Sequence, residues 1–168
     1  MARSKNCACY WMTGKFLTST VTCRKPPGDS FDWPRVLSDV IRPVRNNTSG
    51  HYRRYDWETD SLAESHSVPA GTIVSVEGCY SMLAPMLGYY DFTIWVESPV
   101  DMCLARGLAR SGEHEREVWE HEWIPIEDRY IHEQNPSSRA RLVIDTSLGF
   151  ESEGQHLTHY HDITRCPE

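Results

Sequence analysis

Three short apolar runs stand out in a chain that otherwise mixes apolar and polar residues. They read TIVSVEG at residues 72–78, FTIWVES at 92–98 and RLVID at 141–145. Short runs rich in β-branched residues and bounded by turn residues are typical of buried strands. The pattern therefore predicts three core strands, and residues 7–12 are a weaker candidate for a fourth.

Helical periodicity fills much of the sequence between these runs. In FDWPRVLSDVIRPV, residues 31–44, apolar positions recur as on one helix face, and Pro43 is expected to end the helix. Residues 113–134 read as a long helix that Pro125 should kink or divide. Residues 100–110 predict another helix, whose apolar side would carry Val100, Cys103, Leu104 and Leu108.

The order strand, helix, strand, long helix, strand predicts an α/β fold with a parallel sheet and right-handed crossovers. We expect one domain, in which residues 1–30 diverge, residues 31–146 form the core and residues 147–168 are a polar tail. Ligands of such sheets bind at the carboxyl ends of the strands. This rule places Glu77, Gly78, Glu97 and Asp145 near any site.

Charge and composition narrow the classes of function. The formal net charge is −7, which argues against broad nucleic-acid binding because such binding needs Lys and Arg to neutralise phosphates. No apolar run approaches the ~20 residues that cross a bilayer, so we expect no membrane partner. The six cysteines form no C-x-x-C pair, and reduced thiols in a cytoplasmic protein are the simplest interpretation.

The stretch MTGKFLTSTVT, residues 12–22, imitates a phosphate-binding loop but does not meet its requirements. Such a loop needs G-x-x-x-x-G-K-[ST], in which backbone N–H groups hold phosphates and the final hydroxyl holds Mg²⁺. With Lys15 in the lysine position, the first glycine position falls on Cys9 and the hydroxyl position on Phe16. An irregular polar segment is the favoured interpretation.

Three groups of residues could carry chemistry. Glu77 follows a predicted strand and could hold Mg²⁺ or orient a hydroxyl, or it could be an ordinary polar strand end. The segment 53–57 combines two arginines, a carboxylate and two aromatic rings, which suits a nucleoside or phosphate but also suits a surface turn with satisfied ion pairs. Convergent arginines could stabilise a phosphoryl group, or could lie on a solvated helix face: Arg106, Arg110 and Arg116.

The ordered set of segments resembles the uridine kinase-like P-loop kinases, the bacterial relatives of uridine–cytidine kinase. The resemblance covers about residues 31–146, through FDWPRVLSDVIRPV, RRYDWETDS, TIVSVEGCYSM, YYDFTIWVESPVDMCLARGLAR, WEHEWIPIEDRYI and RLVID. It implies a three-layer α/β/α parallel sheet, incomplete at its N-terminal end. It also implies transfer of the γ-phosphoryl group of ATP to a nucleoside hydroxyl with Mg²⁺.

The same resemblance assigns provisional roles to residues. Glu77 matches the family's acidic position and would serve both catalysis and Mg²⁺ binding. Arg106 and Arg110 match the lid arginines and would serve catalysis. The substrate-binding set would be Arg53, Arg54, Tyr55, Asp56 and Arg116, with Tyr55 and Asp56 facing base or sugar. No residue is assigned to cofactor binding, and the phosphate acceptor is not identified.

Departures from the family pattern set the expectations for activity. The phosphate loop is missing, and Thr13 and Gly14 occupy the positions of an acidic pair that includes the general base. Arg141 also stands where the family often has an acid. The chain is thus expected to be a nucleoside kinase homologue with impaired phosphoryl transfer, from a truncated gene product or one whose start lies upstream. A non-catalytic nucleoside-binding or assembly module is the alternative, and a metal-binding protein built on the tail histidines is a third.

Loss of a central strand should also leave its neighbours without a shared partner. The gap would be closed, filled by a segment such as residues 7–12, or filled by another chain. Self-association into a homo-oligomer is therefore an expectation as well.

Overall fold

The computed structural model of this chain describes residues 7–10, 27–29, 31–56 and 58–147. It divides into two compact units, the N-terminal unit Met1–Tyr89 and the C-terminal unit Tyr90–Glu168. The single domain expected from the sequence stays a prediction.

Four strands were expected, and each has a counterpart in the structure. In the N-terminal unit, β1 (Cys7–Tyr10) pairs in parallel with β4 (Ile73–Val76), beginning with Cys7 opposite Ile73. In the C-terminal unit, β5 (Ile94–Glu97) pairs in parallel with β6 (Leu142–Asp145). The chain between β5 and β6 is helical, so a helical crossover is confirmed for this pair, whereas its right-handedness stays a prediction.

An antiparallel hairpin in the N-terminal unit was not expected. Strands β2 (Gly50–Asp56) and β3 (Ser61–Val68) form it, with a register shift between Arg53 and Tyr55. These strands are hard to detect in the sequence because their exposed face is charged, and the apolar alternation of a half-buried strand is weak there. Val68, at the end of β3, is fully buried.

The burial expected for the core strands was wrong for β4 and β5. Ile73 in β4 is 50% exposed, and Ile94 and Val96 in β5 are 48% and 57% exposed. The described strands form three sheets of two strands each, so neither β4 nor β5 is flanked on both sides by described strands. The structure therefore confirms a mixed α/β class with parallel strand pairs, whereas the wider three-layer sheet stays a prediction.

The first helix spans residues 33–45 and passes through Pro43 instead of ending there. Its α-helical turns, Trp33–Val36 and Arg42–Arg45, flank a π-helical turn, Leu37–Ile41. Proline lacks an N–H group and its ring collides with the carbonyl four residues earlier, which a wider turn avoids. The expected helix end at Pro43 was thus wrong by one short turn.

A π-helical turn close to a proline also occurs in the helical segment 113–134 of the C-terminal unit. A 3₁₀ turn (Glu113–Glu115) and a short α-turn (Arg116–Val118) lead into a π-helical turn (Trp119–Trp123). The α-helix Ile124–Gln134 then begins with Pro125 in its first turn. Pro125 therefore marks a change of helix type, which agrees with the predicted interruption.

Each unit has a small core. In the N-terminal unit, Leu37, Val40 and Ile41 of the first helix are buried, as are Met82, Leu83 and Met86 around the short helix Ala84–Leu87. In the C-terminal unit the buried side chains are Leu108, Tyr130, Ala140 and Thr146. Pro136, which begins the short helix Pro136–Arg139, is buried as well.

The helix Val100–Ser111 confirms the expectation for residues 100–110. Its predicted apolar side is only partly correct, because Leu108 is buried whereas Val100 and Cys103 are exposed. Within the part of the chain that the structure describes, no helix combines the length and apolar character needed to cross a membrane.

Candidate functional site

Glu77 lies directly after β4 and its side chain is exposed, as the strand-end argument predicted. Gly78 follows with a φ of 143°, a backbone conformation that favours glycine. A Cβ built on Gly78 would meet no atom within 4 Å, so the backbone here is open to a ligand. The carbonyl of Gly78 accepts a hydrogen bond from the Ser81 N–H at 3.1 Å, which holds the turn.

The described residues fit Mg²⁺ only in part. Magnesium is commonly held by one or two carboxylates together with phosphates and water, and Glu77 could provide one such carboxylate. Among the described residues there is no group of three His, Cys, Asp or Glu side chains placed to hold a metal. Glu77 is therefore at most one ligand of an ion that a phosphate and water would complete.

Both arginines of the hairpin, which lie on β2, form bonds to β3. Arg54 forms a two-pronged ion pair with Glu64 on β3, with nitrogen–oxygen distances of 2.6 and 3.1 Å. This pair holds the pKa of Glu64 down at about 2. Arg53 donates to the backbone carbonyls of Leu62 and Ala63 across the register shift. Both guanidinium groups thus fasten β2 to β3.

Tyr55 and Asp56 are also bonded within the hairpin. The Tyr55 hydroxyl donates to the Asp60 carboxylate, and this bond raises the pKa of Tyr55 to about 12. Asp56 Oδ1 accepts a hydrogen bond of 3.0 Å from the Glu58 N–H. Asp60 has a φ of 48°, so the turn depends on a left-handed residue that these bonds support. A ligand at these side chains would have to share or replace existing bonds.

Arg106 joins the carboxyl ends of β5 and β6. Its guanidinium donates to Ser98 Oγ and Thr146 Oγ1, each at 3.1 Å, and to the Thr146 carbonyl at 3.3 Å. Thr146 Oγ1 in turn donates to the Glu97 carbonyl at 2.9 Å. This network gives Arg106 a positioning role at the strand ends. The catalytic role predicted for it stays a prediction.

The other two predicted arginines differ in their surroundings. Arg110 is exposed one helical turn after Arg106, and it forms no ion pair with any residue that the structure describes. Arg116 lies beyond Gly112 and is paired with Glu113 and Glu120, which raises its pKa and lowers that of Glu113. Of the three, Arg110 is the side chain whose charge is most available to a ligand.

The predicted residues are thus distributed over both units. Glu77 and the hairpin residues 53–56 belong to the N-terminal unit, and the three arginines belong to the C-terminal unit. The structure brings together the four hairpin residues, and it places Arg106 and Arg110 on one helix. Other predictions lie outside the described residues: Trp57, the stretch MTGKFLTST and the tail histidines.

A cavity in the C-terminal unit was missed from the sequence. It has a volume of about 420 Å³ and lies at the carboxyl ends of β5 and β6. Glu97 and Asp145, which the strand-end rule had placed near a site, oppose each other in the strand register and both line it. The wall formed by the helix Ile124–Gln134 was not foreseen, although its residues follow i, i+3, i+4, i+7 spacing: Ile124, Glu127, Asp128 and Ile131.

Comparison with known families adds one finding to this geometry. The sequence profile of the phosphoribulokinase / uridine kinase family matches residues 18–117, which is more than half of the chain. A comparison with curated proteins gives no match. The matched range contains every residue to which the family resemblance assigns catalysis, substrate binding or metal binding, but it ends before β6.

Proposed function

Because the chain belongs to the phosphoribulokinase / uridine kinase family, we propose that it is a nucleoside kinase homologue whose phosphoryl transfer is impaired in this 168-residue form. The family match over residues 18–117 carries the proposal. The nucleoside, and uridine in particular, is the finer part of the proposal and comes from the resemblance of RRYDW to the family's nucleoside-side segment.

Each candidate residue has a proposed task. Tyr55 and Asp56 would bind hydroxyls or the base of the acceptor, and Arg53, Arg54 and Arg116 would support substrate binding. Glu77 would hold Mg²⁺ through its exposed carboxylate, and Arg110 would neutralise phosphate charge. Arg106 would keep the ends of β5 and β6 in place through Ser98 and Thr146. When bound, ATP and Mg²⁺ would supply the phosphoryl group and the main charge neutralisation.

The residues present lack the usual cradle for the triphosphate of ATP. The 168 residues contain no G-x-x-x-x-G-K-[ST] sequence, whose backbone would cradle the phosphates. Phosphoryl transfer depends chiefly on positioning and electrostatic stabilisation, and that loop provides much of both. The general base is also missing from its expected position at Thr13 and Gly14. Impaired transfer is the physical consequence of both losses.

An activity assay tests this proposal directly. ADP release would be followed with ATP, Mg²⁺ and either uridine or cytidine as acceptor. We expect turnover far below ~1 s⁻¹, the low end of typical kinases. Turnover at or above that rate would contradict the proposed impairment, and Glu77→Gln would then show whether the carboxylate supports it.

The second candidate is a non-catalytic module that binds nucleosides. The hairpin favours it, because Tyr55 and Asp56 form part of a bonded surface whose integrity does not depend on a phosphate loop. Calorimetry with uridine in the absence of ATP should give binding that Tyr55→Phe weakens. Glu58→Gln, in the same turn, is the matched control. Absence of uridine binding by the folded chain would remove this candidate.

We also propose the cytoplasm as the place of action. The support comes from the sequence, whose six cysteines form no C-x-x-C pair and for which reduced thiols are the simplest interpretation.

A further inference from the structure

The cavity in the C-terminal unit has the size of a small-molecule site. Its volume of about 420 Å³ lies in the range of roughly 300–1,000 Å³ that such sites occupy. It opens where β5 and β6 end, which is the edge of a parallel sheet at which ligands bind. None of the functions proposed above uses this cavity.

Apolar side chains form much of its wall. Trp95, Val96 and Val100 come from β5 and the segment after it, and Ile124 and Ile131 come from the helix Ile124–Gln134. Val96, Val100 and Ile131 are exposed, so the protein's own core does not fill the space beside them. The ring of Trp95 is supported by Tyr130, with a centroid distance of 6.4 Å. An apolar group of a ligand would therefore find a preformed wall.

Carboxylates supply the charge of the cavity. Glu97 and Asp145 stand opposite each other at the strand ends, and Glu127 and Asp128 come from the facing helix. No Lys, Arg or His occurs among the described residues that line it. Burial, and then the neighbouring Asp128, raise the pKa of Glu127. An ionised Glu127 is thus destabilised in a way that a positive charge in the cavity would relieve.

This combination excludes several classes of ligand. A phosphate or carboxylate would be repelled by four acidic side chains. A bare divalent cation finds no group of three metal-ligating side chains among the described residues, and the apolar wall offers it nothing. A neutral apolar molecule would bring no positive charge to this acidic lining.

We infer that this cavity binds a small organic ammonium compound whose body is aromatic or aliphatic. The ammonium group would lie among Glu97, Glu127 and Asp128, where charge-assisted hydrogen bonds are strong. The body would pack against Val100 and Ile131, and the indole of Trp95 would add a cation–π contribution. Binding would require neither ATP nor a nucleoside, so its presence or absence can be measured independently of the proposed kinase function.

Calorimetry with three probes of similar shape tests the inference on the complete 168-residue chain. Phenethylamine carries a positive charge, 2-phenylethanol is neutral and phenylacetate is negative. We expect saturable binding of phenethylamine with a Kd below about 1 mM, at least tenfold weaker binding of 2-phenylethanol, and no detectable binding of phenylacetate.

Variants locate the binding. Glu127→Gln and Asp128→Asn should each weaken phenethylamine binding by about tenfold, the loss expected for one charge-assisted contact. Glu117→Gln removes an exposed charge from the same helical segment outside the cavity, and it should leave the Kd unchanged. Thermal unfolding of each variant, recorded in parallel, separates lost contacts from lost structure.

The pH dependence provides a second signature. The titratable groups that face the cavity are Glu97 from β5, Asp145 from β6, Cys103 from the helix Val100–Ser111, and Glu127 and Asp128. Phenethylamine stays protonated below neutrality, so binding should weaken as the pH falls from 7 to 4 and Glu127, whose pKa burial raises, takes up a proton. Equal binding of phenylacetate, an unchanged Kd in both cavity variants, or no saturable phenethylamine binding by the folded chain would overturn the inference.

Discussion

Gly107 lies where the helix Val100–Ser111 meets the ring of Trp119, and the contact leaves no room for a side chain. A Cβ at this position would come within 2.6 Å of the Trp119 ring. The ring also makes a T-shaped contact with Trp123 at a centroid distance of 4.8 Å, and its Nε1–H donates to Ser111 Oγ at 3.2 Å. The missing side chain of Gly107 is therefore what permits this packing.

Replacing Gly107 with alanine should destabilise the protein by about 1–3 kcal/mol, the usual cost of overpacking. Urea unfolding would measure the change. Gly88→Ala is the matched control, because a Cβ there meets no atom within 4 Å and its φ is −65°. The control should differ from the parent by no more than about 1 kcal/mol. Equal stability of the two variants would contradict the packing described for Trp119.

Glu127 gives a prediction about pH. Its pKa is raised above the usual 4.5, first by burial and then by Asp128. Because folding raises this pKa, the contribution of Glu127 to stability is complete below pH 4.5. The contribution is lost as the pH rises through the pKa of Glu127 in the folded state. Glu127→Gln stays neutral throughout, so it should melt above the parent at pH 7 and near it at pH 3.

Thermal unfolding monitored by circular dichroism at both pH values checks this expectation. Glu117→Gln removes one charge from the same helical segment and controls for the change in net charge. A melting difference for Glu127→Gln that is the same at pH 3 and pH 7 would show that desolvation of the carboxylate is not its cause.

At the scale of elements, an ion pair connects the two strands of the hairpin β2–β3 next to its register shift. The Arg54–Glu64 pair keeps the pKa of Glu64 at about 2, below its usual 4.5. Because folding lowers this pKa, the ionised Glu64 carboxylate contributes its full stabilisation above pH 4.5, and this contribution is lost as the pH falls through about 2. Because both side chains are exposed, the pair acts on hairpin geometry more than on global stability.

Arg54→Gln should move the Glu64 pKa upward, toward 4.5, since the guanidinium is the main cause of the shift. A carbon-detected NMR titration of the Glu64 carboxyl measures this directly. Arg110→Gln changes the net charge equally but removes none of the groups that shift the pKa of Glu64, so it should have no effect on Glu64. A Glu64 pKa that remains near 2 in Arg54→Gln would disprove the assignment.

At the scale of the whole molecule, exposed apolar side chains on parallel strands favour association between chains. Parallel sheets are normally covered on both faces, yet Ile73 on β4 and Ile94 on β5 are about half exposed. Strands with unpaired edges and apolar side chains promote pairing with another chain. We therefore propose that the chain forms homo-oligomers.

Light scattering after size-exclusion chromatography should show a mass that rises with protein concentration. Ile94→Lys should shift the chain toward the monomer, because a charge on β5 opposes strand pairing. Leu62→Lys, on the hairpin and 37% exposed, is the control and should leave the mass unchanged. A monomer at every concentration tested would argue against association through β5.

The local elements could be located from the sequence alone, apart from the β2–β3 hairpin. Short β-branched runs located β4, β5 and β6, and the helical period of 3.6 residues located the helix Val100–Ser111, because both signals follow from local backbone geometry. The same geometry placed Arg106 and Arg110 one turn apart, and it put Glu97 and Asp145 at the ends of their strands. The charged hairpin escaped detection because its polar face hides the alternation on which strand prediction depends.

The contacts of each of these residues, by contrast, follow from how the elements pack in three dimensions. Whether Ile94 is covered depends on which strands lie beside it, and the use of the Arg106 guanidinium depends on Thr146, 40 residues away. The cavity likewise requires strands and a helix that are distant in sequence to meet around Trp95. Local periodicity carries no information about such contacts, because they arise from the packing of complete elements against one another.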